Sequence, residues 1–188
     1  MKTKFTALAV ASLFLAMTAS AYAEGEGACL KSRDKAAGVK TAVVNATAEL
    51  DSHAGWVKGL QNKFCTFTNT EKNTGMVDLQ TLTSKRPSIA ATYILNGLDM
   101  AELMKVVPEG YSGNPATLFC QALAGSSITR YTNGGFATKL GQDEVCVFGD
   151  GSKVSMWSLV YLSDDPDYLS IRKAIRSEPL QVDLPYMK

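Results

Sequence analysis

Histidine is almost missing from this chain: His53 is the only one in 188 residues. A zinc site wants about three or four Cys, His or carboxylate ligands at close spacing. The cysteines do not supply them, because no two of Cys29, Cys65, Cys120 and Cys146 are near neighbours in sequence. The same spacing excludes a Cys-x-x-Cys redox pair. A Ser or Cys nucleophile would need a positioned base, and His53 stands alone between Asp51-Ser52 and Gly55-Trp56, as a surface turn would. Gly110-Tyr111-Ser112-Gly113-Asn114 lacks the last glycine of a nucleophile elbow and reads as a loop leading to a helix cap. The alternating oxygen ligands of a calcium loop are missing around Asp150-Gly151 and around Asp164-Asp165-Pro166-Asp167. The second cluster reads more simply as a helix start, where carboxylates offset the positive dipole end. No catalytic residue, no metal ligand and no cofactor is therefore assigned.

An excess of charge of either sign is also lacking. The chain has 19 basic and 18 acidic side chains, which gives no electrostatic reason to expect nucleic acid or an anionic membrane as partner. Long apolar runs are confined to the N-terminus. Lys2 and Lys4 precede the apolar stretch Phe5 to Met17, Ala21-Tyr22-Ala23 has the small-x-small cleavage pattern, and Glu24-Gly25-Glu26-Gly27 follows. Residues 1–23 read as a signal peptide, and the run is short of the roughly 20 residues a membrane-spanning helix needs. Glu26-Gly27-Ala28 before Cys29 lacks the aliphatic residue of a lipobox, so acylation of Cys29 is not expected. The expected destination is the periplasm or the exterior, with no transmembrane segment in the mature chain. Asn45-Ala46-Thr47 matches a glycosylation sequon, incidental in a chain of bacterial style.

What is present is an even number of cysteines and an internal echo. In an oxidising compartment four cysteines predict two disulfides, and spacing alone leaves three pairings open. Gly55-Trp56 with Leu60 and then Phe64-Cys65-Thr66-Phe67 reads like Gly135-Phe136 with Leu140 and then Val145-Cys146-Val147-Phe148. Each copy has an earlier cysteine, Cys29 or Cys120, near a glycine able to end a helix, Gly38 or Gly125. We read a degenerate tandem duplication. If each copy is a fold unit, Cys29 pairs with Cys65 and Cys120 with Cys146.

Local chemistry suggests the elements. A helix is expected from Ala28 to Ala37, then strands at 39–48, 56–60, 63–68 and 76–83. Pro87 could open a helix reaching Asn96 with Gly97 as its cap, and Asp99 with Glu102 forms a capping-box-like start. Glu109 to Gly113 reads as linker. Asn114-Pro115 starts a helix stopping at Gly125, followed by strands at 127–131, 136–140 and 144–148, with turns at Asn133-Gly134-Gly135 and Gly149-Asp150-Gly151. Val154 to Leu162 is a strand or a short helix, and Pro166 to Arg176 a terminal helix.

The segment Asn114-Pro115-Ala116-Thr117-Leu118-Phe119-Cys120 resembles the opening of the DUF333 family of small bacterial envelope proteins, often labelled haemolysins. That family continues with a Gly-rich turn, a second Cys, an aromatic or aliphatic residue, a Gly-containing turn and a Trp, matched here by Gly125, Cys146, Phe148, Asp150-Gly151 and Trp157-Ser158-Leu159. The likeness covers about residues 113–165. It departs at Ser155-Met156, where members often carry acidic residues, and in lacking a lipoprotein signal. The resemblance implies a small envelope-associated module and brings no agreed chemistry with it.

The expected fold is α+β, in two related disulfide-closed units of short antiparallel strands with helices packed on one face. The expected division is a signal peptide at 1–23, a degenerate repeat at 24–98, a connecting helix and linker at 99–113, and a DUF333-like unit at 114–188. The leading function is a non-enzymatic binding module, such as an inhibitor, for a protein or cell-envelope partner. Trp56 and Trp157 are the candidate partner-binding anchors, set against a simple packing role beside the disulfides. The alternatives are an envelope hydrolase working through carboxylates such as Asp150 and Asp164, and a membrane-active protein. For the latter no pore-forming hairpin or basic amphipathic helix is seen.

Overall fold

A computed structural model of the protein describes residues 26–29, 39–48, 60–72, 74–132 and 142–188. The expected signal peptide, His53, Trp56, the Asn133-Gly134-Gly135 turn and the strand at 136–140 lie outside the described residues, as does most of the helix expected from Ala28; residues 26–29 are helical.

The chain is α+β. Strands β1 (Lys40–Ala48), β2 (Gln61–Thr68) and β3 (Thr74–Asp78) form one antiparallel meander, and β4 (Ser127–Thr132), β5 (Gln142–Val147) and β6 (Lys153–Ser155) form another. The two meanders close on each other as a six-stranded barrel in the order β1-β2-β3-β6-β5-β4. One seam sets Val77 of β3 opposite Val154 of β6, and the other sets Thr47 of β1 opposite Thr132 of β4. Val43 faces Cys65 across β1–β2, and Ile128 faces Cys146 across β4–β5.

Alternation along the strands sends successive side chains to opposite faces, and here both faces are apolar. Ala46, Ala48, Phe64, Met76, Tyr131 and Val145 form one buried cluster. Phe64 and Tyr131 meet edge to face with centroids 4.9 Å apart, and the Tyr131 hydroxyl donates to Asn62 Oδ1 at 2.9 Å. Their strand neighbours Cys65, Phe67, Val77, Cys146 and Val154 belong instead to a second, larger core shared with the helices. Both bridges lie there: Cys29–Cys65 and Cys120–Cys146, with Cα atoms 5.5 and 5.7 Å apart.

The helices are α1 (Leu79–Thr83), α2 (Ile89–Asn96), α3 (Met100–Leu103), α4 (Pro115–Ala122), α5 (Met156–Asp164) and α6 (Leu169–Ala174). The strand expected at 76–83 stops at Asp78. The Asp78 carboxylate accepts from the backbone N–H groups of Gln80 at 2.9 Å and Thr81 at 3.2 Å, which is a helix cap, and α1 then buries Leu79 and Leu82. Val154 to Leu162 is both alternatives in sequence: β6 ends at Ser155 and α5 begins at Met156. Pro87 stays outside α2, whose cap is Ser88, while Gly97 ends that helix at φ 87°, a backbone setting that favours glycine. Asp99 caps α3 as expected, but Glu102 pairs with Lys105 at 2.5 Å and does not complete a capping box. Asn114 caps α4, which ends at Ala122, short of Gly125. The C-terminal tail returns to the α2–α3 junction: Lys188 N–H donates to the Gly97 carbonyl at 3.2 Å, and the Tyr186 carbonyl accepts from Asp99 N–H at 2.8 Å.

Two hydroxyls stitch the seam between β3 and β6. Thr81 Oγ1 on α1 accepts from the Lys153 N–H at 3.0 Å, and Ser158 Oγ on α5 accepts from the Met76 N–H at 2.6 Å. Gly75 must lie close beneath this second contact, since a methyl group there would overlap the Phe67 ring and Ser158 Oγ.

Candidate functional site: a polar cleft beside the barrel seam

The same seam is filled on one side and open on the other. On the open side a cleft of about 470 Å³ lies between the end of β3, the segment 84–88 and the β5–β6 turn. That volume is within the range of small-ligand sites. Its walls come from distant parts of the chain, because Asp78 and Arg86 enter it from the first half and Asp150 and Lys153 from the second.

Local folding decides which of these groups are available. Asp78 is buried at the barrel end and its carboxyl is committed to the α1 amides. Burial pushes that carboxyl above its ordinary range, against the opposing effects of Lys153 and the two amides. Asp150 is held just as firmly. One oxygen accepts from Ile89 N–H at 2.7 Å, and the other accepts from the Ser152 N–H at 3.0 Å and its hydroxyl at 2.6 Å. Ser152 Oγ in turn accepts from Ala90 N–H at 3.1 Å, and Ser88 Oγ from Ala91 N–H at 3.3 Å. The starts of both α1 and α2 are therefore satisfied by the chain itself.

The cations are held less tightly. Lys153 is half-buried, with its ammonium donating to the Gly151 carbonyl at 3.0 Å. Arg86 is exposed, and among the described residues no carboxylate pairs with it. Ser84 Oγ accepts from the Arg86 N–H at 3.0 Å, which fixes the turn that presents the guanidinium. A second cleft of about 520 Å³ adjoins the first at Pro87 and is bordered by Lys85, Arg176 and Glu178. The first cleft offers cations and hydroxyls at its surface and spends Asp78 and Asp150 on structure, while the second sets the acid Glu178 beside Lys85 and Arg176.

The sequence-derived candidates divide as follows. The four cysteines form the two bridges and sit in the outer core. Trp157 is 36% exposed on α5 and stacks on Tyr161 at 6.1 Å, away from the cleft lining. Trp56 lies outside the described residues. Asp150 lines the cleft as a helix cap, while Asp164 closes α5. Sequence reading does not single out Asp78, Arg86 or Lys153. Asp78 carried the one usable signal, as an acid just before Leu79-Gln80-Thr81-Leu82 with helical apolar spacing. No group of three or more candidate metal ligands occurs among the described residues. No family model, no curated protein and no solved structure matches this chain.

Proposed function

We propose that this chain is an exported, disulfide-braced binding module made of two related halves, and that it engages its partner through the polar cleft. The observation that carries the binding reading is the fate of the carboxylates. Asp78 and Asp150 both hold backbone amides, so neither is positioned as a free acid or base, while Arg86 and Lys153 face the opening. An acid-pair hydrolase needs two carboxyl groups free to exchange protons across a substrate. The two bridges fit an oxidising compartment, and no helix among the described residues is long and apolar enough to cross a membrane.

The relation between the halves is supported by register. Aligning Cys65 with Cys146 matches Val43 to Ile128 and Val77 to Val154 through the strand ladders. Thr47 then matches Thr132. Both seams that close the barrel thus pair a residue with its own counterpart, as a two-fold axis requires. The stitching hydroxyls obey the same rule: Thr81 matches Ser158, Lys153 matches Met76, and each hydroxyl reaches across to the other half's strand. A DUF333-like unit at 113–165 accords with this, since that stretch contributes one meander with its flanking helices and one bridge. The halves differ where the cleft opens. The counterparts of Asp78, Gln80 and Lys153 are Ser155, Trp157 and Met76, so at the seam the other half lacks both charges of the cleft.

The test copies that difference. Oxidised protein covering residues 24–188 is immobilised beside a Gln80→Trp variant, which puts the counterpart residue into the cleft, and beside reduced, alkylated protein. Envelope extract is passed over all three. A stoichiometric component kept by the oxidised wild type and lost by both others is expected. Equal retention by the Gln80→Trp protein would overturn the cleft as the binding site.

A further inference from the structure

We infer that the ligand of this cleft is an extended acidic peptide segment, read by side-chain cations aligned along the two adjoining clefts; this rests on the cleft being the binding site. Three observations lead to it. First, the cations continue past the cleft. Lys153 and Arg86 border the first opening, Lys85 and Arg176 the second together with the acid Glu178, and Pro87 is common to both. Two openings of about 470 and 520 Å³ on either side of Pro87 suit an extended chain better than a compact ion.

Second, the backbone groups that would cradle a phosphate are already occupied. Phosphate sites rely on free N–H groups at helix starts and in nests. Here the amides of Gln80 and Thr81 go to Asp78, and those of Ile89, Ala90 and Ala91 go to Asp150, Ser152 and Ser88. Recognition is left to the guanidinium and ammonium groups that line the two openings, and the guanidinium fork fits carboxylates well.

Third, the strands nearest the cleft, β3 and β6, already pair with each other in the closed barrel, so no lone strand edge faces the cleft for a peptide to extend. Affinity has to come from side-chain contacts to the peptide's own side chains, and spaced cations select spaced acids.

The experiment uses oxidised protein over residues 24–188 and a fluorescein-labelled oligoglutamate peptide, followed by anisotropy at low salt. Oligoglutamine of equal length and inorganic phosphate are the comparison probes. The expected result is saturable binding of oligoglutamate and none of oligoglutamine. Arg86→Glu should weaken binding by about tenfold, the size of one lost charge-assisted bond, and Lys153→Gln should weaken it as well. Circular dichroism and intact bridges show that the variants are folded. Arg86 is exposed, so its variant is the safer of the two. Oligoglutamate binding unchanged in the Arg86→Glu protein overturns the inference. So does phosphate competing fully at equivalent charge, which would make the site one for compact anions. If oligoglutamate fails to bind while Gln80→Trp still abolishes retention of the envelope component, this inference falls and the cleft stands. If Gln80→Trp has no effect either, both fall.

Discussion

Asp143 sits at the start of β5, where burial lifts its carboxyl to about 6, against an ordinary value of 3.8. The neighbouring Glu144 charge adds to the rise, and the Glu144 N–H, which donates to Asp143 Oδ1 at 2.8 Å, opposes it. Between those two pH values the folded chain binds more protons than the unfolded one, so stability falls as pH rises from about 4 to 6 and the deficit persists above. On the proposed correspondence the counterpart of Asp143 is Asn62, an amide with no charge to desolvate. Asp143→Asn should therefore raise Tm at pH 7.5, by about 2–4 °C if roughly 1 kcal/mol is recovered, and leave it nearly unchanged at pH 4. Thermal melts followed by circular dichroism across that range provide the check, and parallel curves for the two proteins would contradict it. Nothing in the sequence around Asp143 marks it as raised. The shift comes from the surroundings that the fold brings to a carboxyl which, in an exposed strand, would titrate normally.

At the scale of elements, the hydroxyl stitches are the most exposed to test. Ser158→Ala removes the acceptor of the buried Met76 N–H and also the contact between Ser158 Oγ and Ser155 Oγ. Thr81→Val removes the acceptor of the Lys153 N–H at similar volume. Each should cost about 1–3 kcal/mol, the penalty for leaving a buried polar group unpaired, with Ser158→Ala the larger. Thr81→Ser, which keeps the hydroxyl, should cost less than Thr81→Val. Urea unfolding monitored by fluorescence measures all three, and a Thr81→Val midpoint equal to wild type would show that water replaces the stitch. Local signals made several elements legible beforehand: Asn114-Pro115 at the start of α4, Gly97 at the end of α2, Asp99 before α3. Each depends on atoms a few residues apart. The run 76–83 misled because Met76 to Asp78 and Leu79 to Thr83 are both apolar-rich, and the Asp78 cap that divides them is read as one more polar strand position until its two amide partners are seen.

For the whole molecule, the bridges tie the helical segment 26–29 to β2 and α4 to β5. Removing one with a paired Cys→Ser substitution should lower stability by about 3–4 kcal/mol in chain-entropy terms, for separations of 36 and 26 residues. Chemical unfolding of Cys29→Ser/Cys65→Ser and Cys120→Ser/Cys146→Ser proteins provides the measurement. Peptide mapping without reduction should return Cys29–Cys65 and Cys120–Cys146, and a Cys29–Cys146 peptide would break the two-half reading. Sequence by itself determined the strand alternation, the caps at Gly97, Asp99 and Asn114, the even cysteine count and the echo that pointed to the bridge pairing, because each is written in residue type and short spacing. Only the tertiary structure decided that the six strands close into one barrel, that both strand faces are buried, and that one side of the β3–β6 seam opens as a cleft. Those outcomes depend on pairs such as Val77 with Val154 and Thr47 with Thr132. Such pairs are held by burial between distant segments, and burial is a property of the assembled surface that no local pattern carries.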